Sequence, residues 1–448
     1  MAVSPIGPRA LLAVAAMLAL AAGALVACIV VPPPLALADT AADEEDEEDE
    51  EDDGRDGQGD VRPETTTPKP LIAELACGER HCCVRTHDGR VACWGDRQRA
   101  QLGDEAASGA GVARLVPGRY THLALGARHA CALDAAGDMT CWGDNEGQQA
   151  ANDFGVLTVA PPRVYDFTRT APGARTLASL APGRGRSQCG VVATPAAAAG
   201  DLVCWGVRLS TAATPIDANA GLLARGPAET TWSAADVGAA DAACLGESHA
   251  CLRLDTTGSG LVLCWGHGDD GQLGHGQVGG WSAPTLVAGL GDVVVTELAC
   301  GLRHTCVRGQ LRADGAPVVR CFGANAAGQA GRAPPADVLA PNDVVLPAAA
   351  TALSAGRAHT CALAGERLYC WGDDTHSQLG PDAPGGRWLP AEVPLAFIPR
   401  LLAVGDDVTC TSDGAAVWCF GSDAWGQLGT GTYGVPERST PSLIELPL

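Results

Sequence analysis

From Leu71 to the end of the chain, short apolar runs alternate with turn-forming stretches rich in Gly, Pro and Asp. One unit recurs along this stretch: Gly-x-x-His-x-Cys, a short apolar run, a turn, then Cys-Trp-Gly and Gly-Gln-Leu-Gly. Short strands separated by regularly spaced turn signals are typical of all-β repeat proteins. The pattern therefore predicts a β-rich repeat array from Leu71 onward.

The Cys-aromatic-Gly triplet marks each copy of the unit. Successive triplets lie roughly 50 to 60 residues apart, a spacing that suits a four-stranded propeller blade. The triplets begin at seven cysteines: Cys93, Cys141, Cys204, Cys264, Cys321, Cys370 and Cys419.

Each triplet cysteine has an upstream partner at hairpin distance. In the two tightest pairs, facing cysteines put Gly365-Glu366 and Gly414-Ala415 at the centre of the turn, and a type II′ turn requires Gly first. Facing residues on paired strands lie within disulfide range. We therefore predict seven disulfides, each within one blade: Cys83–Cys93, Cys131–Cys141, Cys189–Cys204, Cys251–Cys264, Cys306–Cys321, Cys361–Cys370 and Cys410–Cys419.

A metal site is the competing interpretation of the recurring His-x-Cys. Zinc sites usually supply cysteines in close Cys-x-x-Cys steps, which these pairs lack. The histidine position is also Ser187 in repeat three and Val408 in repeat seven. We therefore expect packing and hydrogen bonding between blades, with no metal and no cofactor. The five histidines are His81, His129, His249, His304 and His359.

Four cysteines remain in the repeat region. Cys244 and Cys300 occupy nearly the same place in repeats four and five, so neighbouring inner strands would bring them together. Cys77 and Cys82 would form a local bridge at the start of blade one. Connectivity does not follow from sequence alone, so both pairings remain hypotheses.

These repeats resemble the regulator of chromosome condensation family. The resemblance is carried by Gly126-Ala-Arg-His129, Cys131-Ala-Leu, Cys141-Trp-Gly-Asp-Asn145 and the Gly-Gln-Leu-Gly copies at Gly271 and Gly426. It covers residues 71–448 and implies an all-β, seven-bladed β-propeller. The cysteines point to an exported bacterial subset. Repeat three departs from the pattern, because Arg184 stands where the other copies have Gly.

The resemblance leaves several functions open, since a fold does not fix a function. The eukaryotic founder exchanges guanine nucleotide on a small GTPase, and an exported relative inhibits a β-lactamase. We expect a protein-binding or scaffold module of the bacterial cell envelope. The alternatives are a regulator of a small GTPase that resembles an exchange factor, and a secreted enzyme inhibitor of the β-lactamase-inhibitor type.

The first 70 residues predict export. An apolar stretch from Ala10 to Val31 belongs to a segment 1–38 that has three alternative fates. Cleavage would follow Ala36-Leu37-Ala38, a lipid would be attached at Cys28, or the segment would remain as a membrane span. Residues 39–70 contain the acidic run Asp43–Asp53 and predict a disordered linker. We expect a secreted or envelope-anchored protein.

Charge and motifs narrow the function further. The net charge is −22 and Lys69 is the only lysine, which argues against nucleic acid and against anionic membrane surfaces. The sequence shows no phosphate-binding loop, nucleophile elbow or paired carboxylates, so no catalytic residue is assigned. We expect a monomer that binds a protein. Trp232, Trp281 and Trp388 are candidate interface anchors.

The chain ends predict how the ring closes. Pro441–Pro447 resembles the first strand of a unit, whereas the body begins at Leu71 with little strand before Gly78. A propeller must protect the edge strands of its terminal blades. We therefore expect the ends to be complementary halves of one blade, with Leu443 to Leu446 docked beside the first repeat and the C-terminal strand closing the propeller of residues 71–448.

Overall fold

The structure, a computed structural model, describes residues 71–104, 111–151, 155–165, 176–192, 202–206, 230–232, 240–254, 259–381, 383 and 385–448. The predicted export segment, the acidic linker and Cys28 lie outside these residues. Within them, all regular structure is strand, and 28 strands form seven four-stranded antiparallel sheets in chain order. The prediction of a seven-bladed β-propeller is confirmed.

The first four blades each follow the chain from an inner to an outer strand. Blade 1 contains β1 (Ile72–Cys77), β2 (His81–Thr86), β3 (Val91–Gly95) and β4 (Arg114–Val116). Blade 2 contains β5 (His122–Leu125), β6 (His129–Leu133), β7 (Met139–Asp144) and β8 (Thr158–Val164). Blade 3 contains β9 (Leu177–Ala181), β10 (Ser187–Val192), β11 (Leu202–Gly206) and β12 (Thr230–Trp232). Blade 4 contains β13 (Ala240–Leu245), β14 (His249–Leu254), β15 (Leu261–Gly268) and β16 (Gly279–Leu286).

The last three blades repeat the same order. Blade 5 contains β17 (Val293–Cys300), β18 (His304–Leu311), β19 (Pro317–Gly323) and β20 (Val338–Asp343). Blade 6 contains β21 (Ala350–Ala355), β22 (His359–Ala364), β23 (Arg367–Gly372) and β24 (Arg387–Val393). Blade 7 contains β25 (Leu401–Val404), β26 (Val408–Ser412), β27 (Val417–Asp423) and β28 (Val435–Leu443). The inner strands of neighbouring blades contact one another, and β25 contacts β1.

The core lies between blades. In four blades the triplet tryptophan packs against the Gly-Gln loop of the preceding blade and donates its indole N–H to a backbone oxygen there. Trp142 Nε1 lies 2.9 Å from Gln101 O, and Trp94 Nε1 lies 2.9 Å from Gln427 O. These indoles are buried, so the hydrogen bonds satisfy donors that water cannot reach.

The hairpin turns differ from the predicted type. Cys361 faces Cys370 as expected, and Gly365-Glu366 is the two-residue turn. Glu366 also has a positive φ of 63°, so both central residues are left-handed and the turn is type I′, not type II′. Near Cys410 the paired strands end at Ser412 and Val417, which leaves a four-residue loop.

The expectation that the two chain ends form halves of one blade is wrong. Each terminal blade has its own outer strand, because β4 completes blade 1 and β28 completes blade 7. The residues after β28 instead contribute side chains to the joint between these two blades. Ile444 is buried there in one cluster with Trp94 and Ile72, and Leu446 packs against its edge.

The predicted domain borders are not tested by the structure. The part of the chain that it describes includes no helix with the length and apolarity that a membrane crossing requires.

Candidate functional site

The inner strands surround a central channel, and backbone hydrogen bonds link neighbouring blades around it. Glu79 N donates to Ala127 O at 2.9 Å, and Ala127 N donates to Gly185 O at 2.8 Å. Asp406 N donates to Glu79 O at 3.4 Å, which joins blade 7 to blade 1. The contact between blade 7 and blade 1, which we call the joint between the chain ends, therefore uses the same backbone hydrogen bonds as the joints between consecutive blades.

The Gly of Gly-x-x-His is required by the buried histidine three residues later. A Cβ on Gly126 would lie 2.0 Å from His129 Cε1, and one on Gly301 would lie 2.1 Å from His304 Cε1. Such contacts are too close for any side chain. In blade 3 the histidine is replaced by the smaller Ser187, so the constraint is absent and a large residue can stand at the glycine position.

Arg184 occupies that position, and its side chain crosses the channel. The residue is only 8% exposed. Its Nε donates to Ala355 O of blade 6 at 3.0 Å, and Nη1 donates to Cys77 O of blade 1 at 3.2 Å and to Gly78 O at 3.3 Å. Nη2 donates to Val404 O of blade 7. A residue of blade 3 thus holds together the three blades around the joint between the chain ends.

Burial changes the pKa values of Arg184 and its neighbour Asp406. We call the Arg184 side chain the plug, because it crosses the channel. Removal from water lowers the pKa of Arg184 to about 10, so the guanidinium remains charged at neutral pH. Burial raises the pKa of Asp406 to about 7, against the opposing effect of the Arg184 charge. Oδ1 of Asp406 is sealed from solvent and accepts no hydrogen bond in the described part of the chain.

Arg184 separates two cavities. One, lined mainly by inner-strand residues such as Leu75, Leu298 and Leu402, lies on one side of the plug. The other is bounded by Arg128, Arg186 and the residues that follow the channel glycines, and we call it the mouth. We call the propeller face that carries the mouth the rim face. It contains the Gly-x-x-His turns and the loops between third and outer strands.

Ion pairs link neighbouring blades around the mouth. Arg128 Nε lies 2.8 Å from Glu79 Oε2, and Arg357 Nη2 lies 2.6 Å from Asp407 Oδ1. In the loop that follows the Cys-aromatic-Gly triplet of blades 1 and 7, the residue four positions after the triplet glycine also contacts the next blade. Arg99 Nη1 pairs with Glu146 at 2.6 Å. In blade 7 the equivalent residue is Trp425, whose ring lies 4.6 Å from the Arg80 guanidinium carbon.

Most of the recurring histidines bridge blades, as the sequence predicts. His249 Nε2 lies 2.9 Å from Thr305 Oγ1, His304 Nε2 lies 2.9 Å from Thr360 Oγ1, and His359 Nε2 lies 3.1 Å from Thr409 Oγ1. The hydroxyls belong to the following blade in each pair. His81 has no side-chain hydrogen bond among the described residues, because its equivalent neighbour is Ala130. The equivalent neighbour of His129 is Gln188, whose side chain acts on its imidazole.

The geometry of the described residues gives little support to a metal site. Two of the three clusters of possible ligands consist largely of disulfide-bonded cysteines. The third brings together Asp373, His376 and Asp407 on the rim face, but the Arg357 guanidinium already occupies Asp407. A metal cation at this carboxylate would be repelled by the positive charge of Arg357.

All eighteen cysteines of the described residues lie in nine disulfides. Seven join the second and third strands of a blade in the pairs that the sequence suggested. Cys77 pairs with Cys82 across β1 and β2. Cys244 pairs with Cys300, and this bond joins blade 4 to blade 5.

The three candidate interface tryptophans lie on outer strands. Trp232 belongs to β12 and Trp281 to β16, and their side chains lie outside the described part. Trp388 is the second residue of β24, on the rim face, and is 40% exposed. Sequence reasoning missed Tyr433, which is 49% exposed on the same face beside Trp425. It also noted Arg184 only as a departure from the repeat. The simultaneous loss of Gly and His in one copy was the available signal.

Comparison with known proteins identifies the repeats. The description "Regulator of chromosome condensation (RCC1) repeat" applies to matches at residues 259–308, and at 72–101, 120–149 and 350–378. A segment of 93 residues is 41% identical to zebrafish (Danio rerio) "Protein RCC2 homolog", covering 20% of this chain and 18% of that protein. A segment of 66 residues is 38% identical to the Arabidopsis thaliana "Ultraviolet-B receptor UVR8", covering 14% of each chain.

Solved structures share the fold. The structure of Prp20p from Saccharomyces cerevisiae superposes with a TM-score of 0.66 at 18% identity, covering 85% of this chain and 88% of that one. Human WBSCR16 gives a TM-score of 0.64 at 18% identity, covering 80% and 94%. At these identities the likeness concerns the propeller fold alone, and the matched segments span less than a fifth of the curated relatives.

Proposed function

Because four segments of this chain match the repeat of the regulator of chromosome condensation family, we propose that it binds a protein partner, through the rim face and without catalysis. The observation that carries the proposal is the set of exposed aromatic side chains on that face. Trp388 and Tyr433 are 40% and 49% exposed, and Trp425 lies against Arg80 nearby. Trp, Tyr and Arg are the residues that most often anchor protein interfaces.

The buried histidines support a role without catalysis. Histidine is the commonest general base, and a base must reach its substrate. The histidines of the repeat, such as His304 and His359, are fully buried between blades. Burial also lowers the pKa of His304 to about 3. These groups serve the contact between blades.

We place the protein outside the reducing cytoplasm, secreted or anchored in the cell envelope. Nine disulfides among the described residues are typical of an oxidising compartment. Residues 1–38 would direct export and would be the only link to a membrane, and 39–70 would separate the propeller from it. In this setting the propeller acts as a scaffold or recognition module, and the net charge of −22 disfavours nucleic acid as its partner.

Site-specific photo-crosslinking tests the choice of face. A crosslinking residue replaces Tyr433 on the rim face or Val345, which is 82% exposed at the opposite end of a blade. The full chain is expressed in a bacterial host and irradiated in the cell envelope. We expect a discrete protein adduct from position 433 and none from position 345. Adducts from position 345 alone, or from neither position, would refute the proposal.

Fractionation tests export separately. The full chain should be found in the envelope or medium with its cysteines blocked to alkylation. A chain that lacks residues 1–38 should stay in the cytoplasm with reactive thiols. The same cytoplasmic location for both chains would overturn the assignment of compartment.

A further inference from the structure

The mouth is a cavity of about 350 Å³ on the rim side of Arg184. Its charged lining consists of three basic and three acidic side chains. They are Arg128, Arg184, Arg186, Glu79, Glu247 and Asp406. Whether the cavity attracts a cation or an anion depends on which of these groups already have partners.

The basic groups are all engaged. Arg128 binds Glu79, with Nε 2.8 Å from Oε2. Arg186 Nη2 lies 3.0 Å from Oε2 of Glu146, outside the cavity. Arg184 directs its donors to backbone oxygens of three blades. Each guanidinium group in the lining therefore already has an acceptor within the protein.

Two of the acidic groups are not engaged. In the described part of the chain, neither Asp406 nor Glu247 has a side-chain ion pair or hydrogen bond. Glu247 is exposed at the edge of the mouth, whereas Oδ1 of Asp406 is sealed within the protein. An unpaired buried acceptor costs roughly 1 to 3 kcal/mol. A cation in the mouth would act on the charge of the Asp406 carboxylate, since the sealed Oδ1 cannot itself be reached from solvent.

We propose that the mouth receives one cationic side chain of the partner protein, an arginine guanidinium or a lysine ammonium, between Asp406 and Glu247. Ion-assisted hydrogen bonds from such a group are stronger than those between neutral groups. The inference deepens the proposed binding function and rests on it for the nature of the ligand. Arg184 forms the floor of the site. Repulsion from its positive charge would keep the incoming cation from moving deeper than the mouth.

A short peptide tests this contact without the partner. Fluorescently labelled acetyl-Gly-Arg-Gly-amide is titrated with the full chain, and binding is followed by anisotropy. The lysine analogue separates the two cations. The citrulline analogue has nearly the same shape as arginine without the charge. We expect saturable binding of the arginine or lysine peptide, at least tenfold weaker binding of the citrulline peptide, and weakening by added salt.

Variants locate the site. Asp406→Asn and Glu247→Gln should each weaken binding of the cationic peptide about tenfold or more. Glu366→Gln, an exposed turn residue on the opposite face, should leave it unchanged. Glu247 is exposed, so its variant keeps the test valid if Asp406→Asn fails to fold. Equal binding of the citrulline peptide, or wild-type affinity in Glu247→Gln, would overturn the inference.

The outcome is distinguishable from failure of the proposed function. A partner adduct at position 433 together with no peptide binding would refute the cation site and leave the binding role in place. Peptide binding without any adduct would retain the site and remove the evidence for a protein partner.

Discussion

His304 Nε2 lies 2.9 Å from the hydroxyl oxygen of Thr360 in the next blade. Both side chains are fully buried, and the same pairing recurs between His249 and Thr305. A neutral imidazole can share this hydrogen bond without a buried charge. Protonation would place a positive charge between blades, so burial lowers the pKa of His304 and of His249 to about 3.

Acid should therefore weaken the propeller. The unfolded chain binds a proton at each of these histidines near pH 6.5, but the folded chain binds it only near pH 3. The free energy of unfolding falls as pH falls through this window, by up to about 1.4 kcal/mol per pH unit for each histidine. Urea unfolding at several pH values measures the slope. His304→Gln should flatten it, whereas the exposed His87→Gln should not. Identical slopes in all three proteins would contradict this account.

Removal of Arg184 should destabilise the joint between the chain ends. Arg184→Met keeps most of the volume but leaves backbone oxygens of three blades without a donor. Each buried acceptor that loses its donor costs about 1 to 3 kcal/mol, so a loss of several kcal/mol is expected. Denaturant unfolding followed by tryptophan fluorescence measures the change. Arg332→Ala, at an exposed position, is the control and should lie within about 0.5 kcal/mol of the parent. Equal stability of both variants would show that the plug is dispensable.

The disulfide between blades should contribute more than one within a hairpin. Cys244 and Cys300 are 56 residues apart in sequence, whereas Cys131 and Cys141 are 10 apart. Closing the longer loop restricts the unfolded chain more, so replacing both cysteines by serine should cost about 4 kcal/mol, against about 3 for the shorter pair. Non-reducing peptide mapping first establishes the bonds. Recovery of a Cys77–Cys300 peptide would disprove the connectivity, and a reversed order of stabilities would disprove the loop argument.

Two adjacent residues test the contact at the C terminus. Ile444 is 3% exposed in the cluster that contains Trp94, and Leu443 is 53% exposed. Ile444→Ala should lower the free energy of unfolding by about 2 to 5 kcal/mol through the cavity that it leaves. Leu443→Ala should change it by about 0.5 kcal/mol or less. Both variants should keep the mass of the parent protein in light scattering because no strand is removed. Aggregation of Ile444→Ala would contradict this expectation.

The repeat made the fold predictable. Each blade needs the same local contacts, so Gly, His, Cys and Trp recur at fixed places and expose the architecture in the sequence. The requirement of Gly126 for His129 shows how direct this link is. The turn type was harder to predict from the sequence. Glu366 adopts a left-handed backbone conformation, for which glutamate has no particular preference.

The site was much less predictable. Arg184, Asp406 and Glu247 come from three blades, and their convergence depends on the radius of the ring and on side-chain reach. A single sequence contains neither quantity. The closure of the ring between blade 7 and blade 1 was mispredicted for a related reason. Pro441–Pro447 resembles a first strand in composition. In the structure the start of this segment pairs with β27 as the end of β28, and composition does not reveal that pairing.

The bond between Cys244 and Cys300 also limits how the chain responds to mechanical load. A force applied at the two ends would bypass the residues between these cysteines, which are 56 positions apart, because the disulfide carries the tension across them. Those residues include most of blade 4, and at about 3.5 Å per residue they represent roughly 200 Å of chain that cannot be extended. Under tension, blade 4 would stay attached to β17 while its neighbours unravelled.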